Sequence, residues 1–243
     1  MTEQSEQALS FGPAAERYDD NRPSYPPAAV TWALGTPARR VVDLGAGTGI
    51  MTRVLLALGH QVVPVEPDAG MRERLAEVTS DTEPVDGSAE RIPLPDGSVD
   101  AVVAGQSYHW FDREPAHAEI ARVLRPGGVF APIWNIRDEA VPWVARLTKI
   151  VDDPRDRRGH HEGVLENPDF GPEFGTVTSK GFRHEVPMTA DRLVRLVATR
   201  SYYLIATPER QAAVDAQVRE LAAELPEIFP LPYVTMIYKA TRR

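Results

Sequence analysis

A glycine-rich segment beside an acidic residue is the clearest candidate for chemistry in this sequence. It reads VVDLGAGTG over residues 41–49, and Asp43 stands two positions before the first glycine, Gly45. Glycines allow a tight turn and a close approach of the backbone to a ligand, and the free N–H groups of a helix that starts after the turn favour an anion. Asp43 is unfavourable beside a pyrophosphate but favourable beside a cation. The segment therefore predicts a ligand that carries both a carboxylate and a positive charge.

A second acidic residue, Glu66, ends the next apolar run, QVVPVE over residues 61–66. A carboxylate about 20 residues after a glycine loop can accept hydrogen bonds from the ribose hydroxyls of an adenosine. The loop lacks the G-x-G-x-x-G spacing of a dinucleotide site. An adenosine that carries an amino acid and a sulfonium, S-adenosylmethionine (SAM), therefore fits the two acidic residues better than NAD does.

The elements that must position these residues are predicted from short apolar runs that alternate with helical patterns. Strands are predicted at residues 39–45, 61–66, 83–86 (a weak one), 99–105 and 129–134, and helices at residues 50–58, 69–78 and 112–124. This alternation is typical of right-handed βαβ units in a parallel sheet with helices on both faces. Open parallel sheets bind ligands beyond the carboxyl ends of their strands. Asp43, Glu66, Asp86 and Gln106 are all expected at that edge.

The pattern changes after residue 134. Helices are predicted at residues 139–151, 191–198 and 208–225, and strands at residues 176–186 and 233–240. We expect these helices to cover the site and the last strands to return to the sheet edge as an antiparallel pair. The chain of 243 residues is expected to form a single domain: an N-terminal arm (1–27), a core (28–134), and a helical cap with C-terminal strands (135–243).

Composition excludes several classes of function. The absence of cysteine excludes disulfides, thiolate zinc sites and cysteine nucleophiles. A formal net charge of −8 argues against a nucleic-acid substrate. The start of the chain lacks a signal-peptide pattern, and no apolar run approaches the roughly 18 residues of a membrane span, so we expect a cytoplasmic protein. His160 and His161 are adjacent and lack the usual spacing of metal ligands, so we expect no metal.

The combined motifs resemble those of the class I SAM-dependent methyltransferases, in particular the small-molecule, type 11-like branch. The resemblance covers residues 11–134 well. VVDLGAGTG is similar to the family's first motif, the segment DGSAERIPLPDGSVDAVVAGQSYHWFD (86–112) to its later motifs, and LRPGG (124–128) to the turn before a strand. It implies an α/β, doubly wound sheet of seven mostly parallel strands, with an antiparallel C-terminal hairpin and a helical cap.

The resemblance also implies a set of SAM-binding residues. The glycine loop, the ribose site, the adenine site and the methionine site are implied at Asp43, Gly45, Ala46, Gly47, Glu66, Pro67, Ser88, Ala89, Glu90, Gly105 and Gln106. The N-terminal text AERYDDNRPSYP resembles the lid segment of a subgroup near the trans-aconitate methyltransferases. This implies that Tyr18 and Arg22 close over SAM, with Arg22 on the SAM carboxylate and Tyr25 as a further candidate. A structural arginine that ties the arm to the sheet is the alternative for Arg22.

Residues after the predicted strand 99–105 are candidates for the acceptor side. His109 is the best candidate for a general base by position and ordinary pKa, with a packed histidine as the alternative, and Tyr108 and Trp110 are expected to be pocket walls. Further candidates for the acceptor pocket are Trp134, Asn135, Trp143, Arg200, Tyr202 and Tyr203. The basic loop 155–161 is either a receiver for an acidic acceptor or a solvated charge run.

The function expected from all this is transfer of the SAM methyl group to an O, N or C atom of a small molecule, with a carboxylate among the options. S-adenosylhomocysteine (SAH) would be the second product. A carboxylate is ionised at neutral pH and needs no base, whereas a hydroxyl or a protonated amine does. A monomer or homodimer is expected. The alternatives are a non-catalytic SAM-binding regulatory protein and an NAD(P)-dependent oxidoreductase.

Overall fold

Short runs of β-branched residues form the centre of the fold. The computed structural model describes residues 19–37, 39–151, 165, 168–204 and 206–243, with only the backbone at residues 201 and 202. The strands are β1 (Arg40–Leu44), β2 (Gln61–Val65), β3 (Val99–Gly105), β4 (Leu124–Arg137), β5 (Thr178–Met188) and β6 (Phe229–Thr241). The helices are α1 (Pro27–Leu34), α2 (Ile50–Ala57), α3 (Ala69–Val78), α4 (Arg113–Val123), α5 (Pro142–Val151), α6 (Ala190–Ala198), α7 (Ser201–Leu204) and α8 (Pro208–Ala223).

The strands form one sheet in the order β2-β1-β3-β4-β6-β5. β1 is parallel to β2 and β3, and β3 is parallel to β4. β6 runs antiparallel to both β4 and β5. The predicted α/β class, the parallel sheet and the antiparallel C-terminal strands are therefore confirmed. The carboxyl ends of β1 to β4 meet at one edge, as expected for successive βαβ units.

The predicted count of seven strands is wrong for the described residues, which form six. The weak strand predicted at residues 83–86 is reduced to one parallel bridge between Val65 and Val85. Its hydrogen bonds run from the Val85 N–H to the Pro64 carbonyl and from the Glu66 N–H to the Val85 carbonyl.

Alternating side chains of the strands pack on opposite faces of the sheet. Val42 and Val102 pack on the face covered by α4, whereas Val41 and Val103 pack on the face covered by α1 and α2. A third cluster lies in the cap, where α5, α6 and α8 bury apolar side chains against one another and against the start of β6. The sheet is therefore covered on both faces, and the cap has a core of its own.

Candidate functional site

Three glycines shape the loop between β1 and α2. Gly45, Gly47 and Gly49 have φ angles of +69°, +56° and +84°, a region that other residues rarely adopt. The N–H groups of Gly45 and Ala46 both donate to the Val65 carbonyl, at 2.8 and 3.1 Å. A Cβ atom on Gly45 would lie 2.6 Å from the Cβ of Ser107, but one on Gly47 would meet no atom within 4 Å. Gly45 is thus required by packing, and Gly47 faces open space that a ligand can enter.

Asp43 lies in β1, two residues before the first glycine of this loop, and has no exposed surface. Its Oδ2 accepts a hydrogen bond from Thr52 Oγ1 at 2.6 Å, and its Oδ1 is buried and has no partner within the described residues. Burial raises the pKa of Asp43 to about 7, with a smaller contribution from the charge of Glu66. A buried carboxylate oxygen without a partner is costly unless a donor or a cation reaches it. The ammonium of an amino-acid ligand has the chemistry to satisfy Oδ1.

Glu66 joins the end of β2 to the glycine loop. Its Oε2 accepts from the Gly47 N–H at 2.9 Å and its Oε1 from the Asp68 N–H at 2.9 Å. Asp68 in turn caps α3 by accepting from the Met71 N–H at 2.8 Å. A carboxylate has about four lone-pair sites, so Glu66 retains acceptor capacity for hydroxyl donors. Glu66 is therefore held in place by backbone while it remains able to bind a ribose.

The segment around residues 86–90 lies beside the end of β2 through the Val65–Val85 bridge. Ser88 and Arg91 exchange two backbone hydrogen bonds of 3.2 Å, and Ala89 is buried. The Glu90 carboxylate accepts from the Asp112 N–H at 3.0 Å. Glu90 thus connects this turn to Asp112, the residue before α4. Pro67, which follows Glu66 in the sequence, is exposed.

The end of β3 carries an unusual backbone. Gln106 has φ of +58° and is the non-glycine residue with positive φ within the described part of the chain. Such a conformation costs an ordinary residue about 1–2 kcal/mol, and strain of this kind is common at functional sites. Ser107 Oγ donates to the Leu44 carbonyl at 2.7 Å, which joins the ends of β3 and β1. A Cβ on Gly105 would lie 2.9 Å from the Tyr25 hydroxyl oxygen, so the arm packs directly on this strand end.

The arm that contains Tyr25 is fastened at several points across this edge. Asp19 Oδ1 accepts from Thr48 Oγ1 at 3.0 Å and from Arg53 Nη2 at 2.5 Å. Asn135, at the end of β4, donates from Nδ2 to the Ser24 carbonyl at 3.1 Å. The arm therefore connects the glycine loop to the far side of the sheet edge.

Comparisons with known proteins identify the family of this chain. A family model described as "Methyltransferase domain" matches residues 42–131. An uncharacterized methyltransferase of Mycobacterium tuberculosis is 42% identical over 247 residues, which cover 96% of each chain. An uncharacterized methyltransferase-like protein of Schizosaccharomyces pombe is 29% identical over 237 residues, covering 91% of this chain and 89% of its own. The chain belongs to the class I methyltransferase family.

A solved structure supports the same fold for this methyltransferase. It is a protein of Anaeromyxobacter dehalogenans, provisionally described as a type II methyltransferase, with a TM-score of 0.63 and 26% identity. The match covers 91% of this chain and 97% of that one. The resemblance to the trans-aconitate subgroup stays a prediction.

In the methyltransferase, His109 lies on a short 3-10 turn, Tyr108–Trp110, that follows β3. Burial lowers the pKa of His109 to about 4, and the positive charges of Arg22 and Arg200 contribute to this lowering. The imidazole is therefore neutral at pH 7 and a weak proton acceptor. These surroundings disfavour the predicted role as a general base.

Several residues predicted for the pocket lie elsewhere. Tyr108 is 2% exposed and bonds through its hydroxyl to His117 Nε2 at 2.8 Å, so it belongs to the core and is not a pocket wall. Trp134 is buried between Tyr108 and Tyr238. Trp143 packs on Phe229 and Tyr203 donates to Asp215, both inside the cap. Tyr18, the tail 1–10, the side chain of Tyr202 and the loop 155–161 lie outside the described residues.

Arg22 contacts the cap in the methyltransferase. Its Nη2 donates to the Thr199 carbonyl at 2.9 Å, just after α6. This bond uses one of the five N–H donors of the guanidinium, so the predicted pairing of Arg22 with the SAM carboxylate stays a prediction. The alternative of a structural arginine is closer to what is observed, although the partner is the cap and not the sheet.

Sequence reasoning missed some residues that shape the site, among them Thr52, Asp19 and Tyr233. Thr52 could have been found, because it lies in the first turn of the helix after the glycine loop, nine residues after Asp43. Tyr233 could not, because its position depends on the pairing of β6 with β4 and β5. Within the described residues, no group of three or more His, Asp or Glu side chains is placed to hold a metal ion, and no described helix is long and apolar enough to span a membrane.

Proposed function

We propose that this chain transfers the methyl group of SAM to an oxygen, nitrogen or carbon atom of a small-molecule acceptor. The observation that carries the proposal is the buried Oδ1 of Asp43, which has no partner in the described residues, just before a loop whose Gly47 faces open space. A dinucleotide would bring a pyrophosphate to this position, where the carboxylate would repel it. A ligand with an ammonium would satisfy that oxygen and neutralise its charge.

The residues of the chain divide the work of binding. We assign the ribose to Glu66, the adenine side to Ser88, Ala89 and Glu90, and the amino-acid portion to Asp43 and the loop glycines. Gly105 and Gln106, at the end of β3, border the position of the methyl group. SAM supplies an electrophilic methyl group on a sulfonium, so the protein has only to align an acceptor and exclude water. The arm over the edge, with Asp19 on the glycine loop, supports that exclusion.

The surroundings of His109 restrict the kind of acceptor. With a pKa of about 4, the imidazole is neutral at pH 7 and has little tendency to take up a second proton. We therefore infer an acceptor that is nucleophilic without help at neutral pH, which a carboxylate is and an alcohol is not. We further propose that the arm, core and cap form one domain around one site.

Calorimetric titration with SAM and with NAD tests the donor. We expect micromolar binding of SAM, no measurable binding of NAD, and a loss of at least about tenfold in SAM affinity on Asp43→Asn. Exposed Asp81→Asn, on the loop after α3, serves as the matched control. Binding of NAD without binding of SAM would end the proposal and favour an oxidoreductase.

Transfer of radiolabelled methyl from SAM to a panel of small carboxylic acids, phenols and amines tests the reaction. We expect product from acceptors that need no base, and an effect of less than about threefold on turnover from His109→Ala. A loss of about tenfold or more would assign a base to His109. SAM binding without transfer to any acceptor would favour a non-catalytic regulatory protein.

A further inference from the structure

Arg200 stands two residues after the end of α6, and its side chain is partly exposed. The preceding residue, Thr199, accepts the hydrogen bond from Arg22, so the arm reaches this position. Within the part of the chain that the structure describes, the Arg200 guanidinium makes no hydrogen bond and no ion pair. All five of its N–H donors are therefore available to a ligand.

Tyr233 lies in the same region, near the start of β6. It pairs with Arg137 of β4 on one side and with His184 of β5 on the other. Its ring stacks on His184 with centroids 5.6 Å apart, and the side chain is 1% exposed. Within the described residues, its hydroxyl has no hydrogen-bond partner. Buried hydroxyls nearly always have a hydrogen-bond partner. The Tyr233 hydroxyl is therefore able to donate to an acceptor atom of a ligand.

The electrostatic surroundings of Tyr233 are positive. The charged groups of the described residues that act on its phenol are the arginines Arg200, Arg137, Arg22 and Arg192. Burial lowers the pKa of both nearby imidazoles, His109 and His184, so neither adds charge at neutral pH. The chain as a whole carries a formal net charge of −8. The surroundings of Tyr233 are therefore locally positive, although the chain as a whole is negatively charged.

We propose that Arg200 and Tyr233 form a binding subsite for a carboxylate group of the methyl acceptor. The proposal rests on the proposed methyl transfer and names the class of acceptor. Guanidinium groups bind carboxylates through two parallel hydrogen bonds, and the phenol adds a third donor. The single charge of a carboxylate matches the single charge of the Arg200 guanidinium. The role proposed for this carboxylate is recognition of the acceptor. The proposal does not specify which atom of the acceptor receives the methyl group.

The position of the subsite fits this role. Asn135 and Arg137 lie at the carboxyl end of β4, next to the end of β3 where Gln106 borders the SAM side. The positive charge of Arg200 contributes to the lowered pKa of His109, which lies on the short turn after β3. A small acid held by Arg200 and Tyr233 would therefore lie beside the same sheet edge as the methyl donor.

Calorimetry on the protein saturated with SAH tests the subsite. The probes are small acids and their primary amides, such as succinate with succinamide and phenylacetate with phenylacetamide. We expect at least one acid to bind and its amide to bind about tenfold more weakly or not at all. Arg200→Gln and Tyr233→Phe should each weaken the acid by about tenfold and change SAH affinity by less than twofold. The fold-change reports the loss of a charge-assisted contact.

Two control variants separate recognition from structure. Arg195→Gln removes an exposed charge from α6, and Tyr238→Phe removes a hydroxyl of β6 that bonds to the Leu165 N–H at 2.9 Å. Both should leave acid binding unchanged. Tyr233→Phe should not lower the melting temperature, because the hydroxyl it removes has no partner, whereas Tyr238→Phe should lower it.

The possible outcomes distinguish this proposal from the proposed function. Equal binding of acids and amides, no binding of any acid, or a loss of SAH affinity on Arg200→Gln would each overturn the carboxylate subsite. Failure of SAM and SAH to bind would contradict the proposed function instead. In that case the same acids are titrated into the ligand-free protein, where binding that depends on Arg200 supports the subsite and its absence overturns it.

Discussion

The Thr52 hydroxyl donates to Oδ2 of Asp43 at 2.6 Å and leaves Oδ1 of the same carboxylate without a partner in the described residues. One oxygen is thus fixed by the protein, and the other is left for a ligand. Because burial raises the pKa of Asp43 to about 7, the free protein holds a proton here at mildly acidic pH. Binding of a cation must displace that proton.

The affinity for SAM should therefore depend on pH through Asp43. Above pH 7 the carboxylate is ionised and ready for a cation, and below pH 7 the proton competes with it. We expect the dissociation constant of SAM to rise as pH falls from 7, by up to about tenfold per pH unit. Titrations between pH 5.5 and 8.5, in buffers of different ionisation enthalpy, measure the affinity and the proton released. In Asp43→Asn the dependence should be flat over this range, and a slope that survives would assign it to another acidic group, such as Glu66.

The same substitution should stabilise the ligand-free protein at alkaline pH. The pKa of Asp43 in the folded state is raised above the usual value of 3.8, so the folded state binds more protons than the unfolded state between the two values. The free energy of unfolding therefore falls as pH rises through this window. We expect Asp43→Asn to raise the melting temperature at pH 8 but not at pH 4. A lower melting temperature at pH 8 would show that the Thr52 bond outweighs the buried charge.

Gly47→Ala should separate ligand binding from stability. A methyl group there enters open space on the ligand side of the loop, and φ of +56° costs about 1 kcal/mol for alanine. Gly97 is a matched control, because it has φ of +55°, lies in the turn before β3, and would also place a Cβ more than 4 Å from other atoms. Both variants should lose similar unfolding free energy in urea, but only Gly47→Ala should weaken SAM by about tenfold or more. Equal SAM affinity in both would place the ligand elsewhere.

Asp19 should hold the arm over the site. Its carboxylate bonds to Thr48 and Arg53 and lies 3.7 Å from Arg74. Asp19→Asn removes the charge, so we expect faster amide hydrogen exchange at residues 20–26 and an affinity for SAM lower by about three- to tenfold. Asp20→Asn, at an exposed neighbour, should change neither. Unchanged exchange in Asp19→Asn would show that the other contacts of the arm hold it in place without the charge of Asp19.

The buried pair of Tyr108 and His117 should be important for stability and not for binding. Tyr108→Phe removes a hydrogen bond of 2.8 Å and leaves a buried ring nitrogen of His117 without its partner, at a cost of about 1–3 kcal/mol. Urea unfolding measures the loss. SAM affinity should stay within twofold of that of the parent protein. A larger change would show that Tyr108 contributes to the ligand pocket.

The residues proposed for the methyl donor could be identified from the sequence because their signals are local. Asp43, Gly45 and Glu66 stand at the ends of strands whose β-branched runs mark them, and parallel strands bring their carboxyl ends to one edge. The structure brings Gly47 and Glu66 into contact as this reasoning requires. The same reasoning gave one strand too many, because the weak strand predicted at residues 83–86 is only a single bridge at Val85 in the structure.

The acceptor half could not be predicted to the same degree, because its residues meet only through long-range pairing. β4 extends to Arg137, beyond the predicted end at residue 134, since its last residues bond to β6 from a hundred positions later. Trp134 and Asn135 are neighbours in sequence, but one is in the aromatic core and the other holds the arm. The residue type alone does not reveal whether a side chain at the end of β4 enters the aromatic core or contacts the arm.

The separate core of the cap has an evolutionary consequence. Because α5, α6 and α8 bury their apolar side chains mainly against one another and the start of β6, substitutions on the site-facing surface of the cap leave the packing under Asp43 and Glu66 undisturbed. Descendants of such a gene can therefore acquire new acceptor preferences one surface residue at a time, while the machinery for the methyl donor is inherited intact.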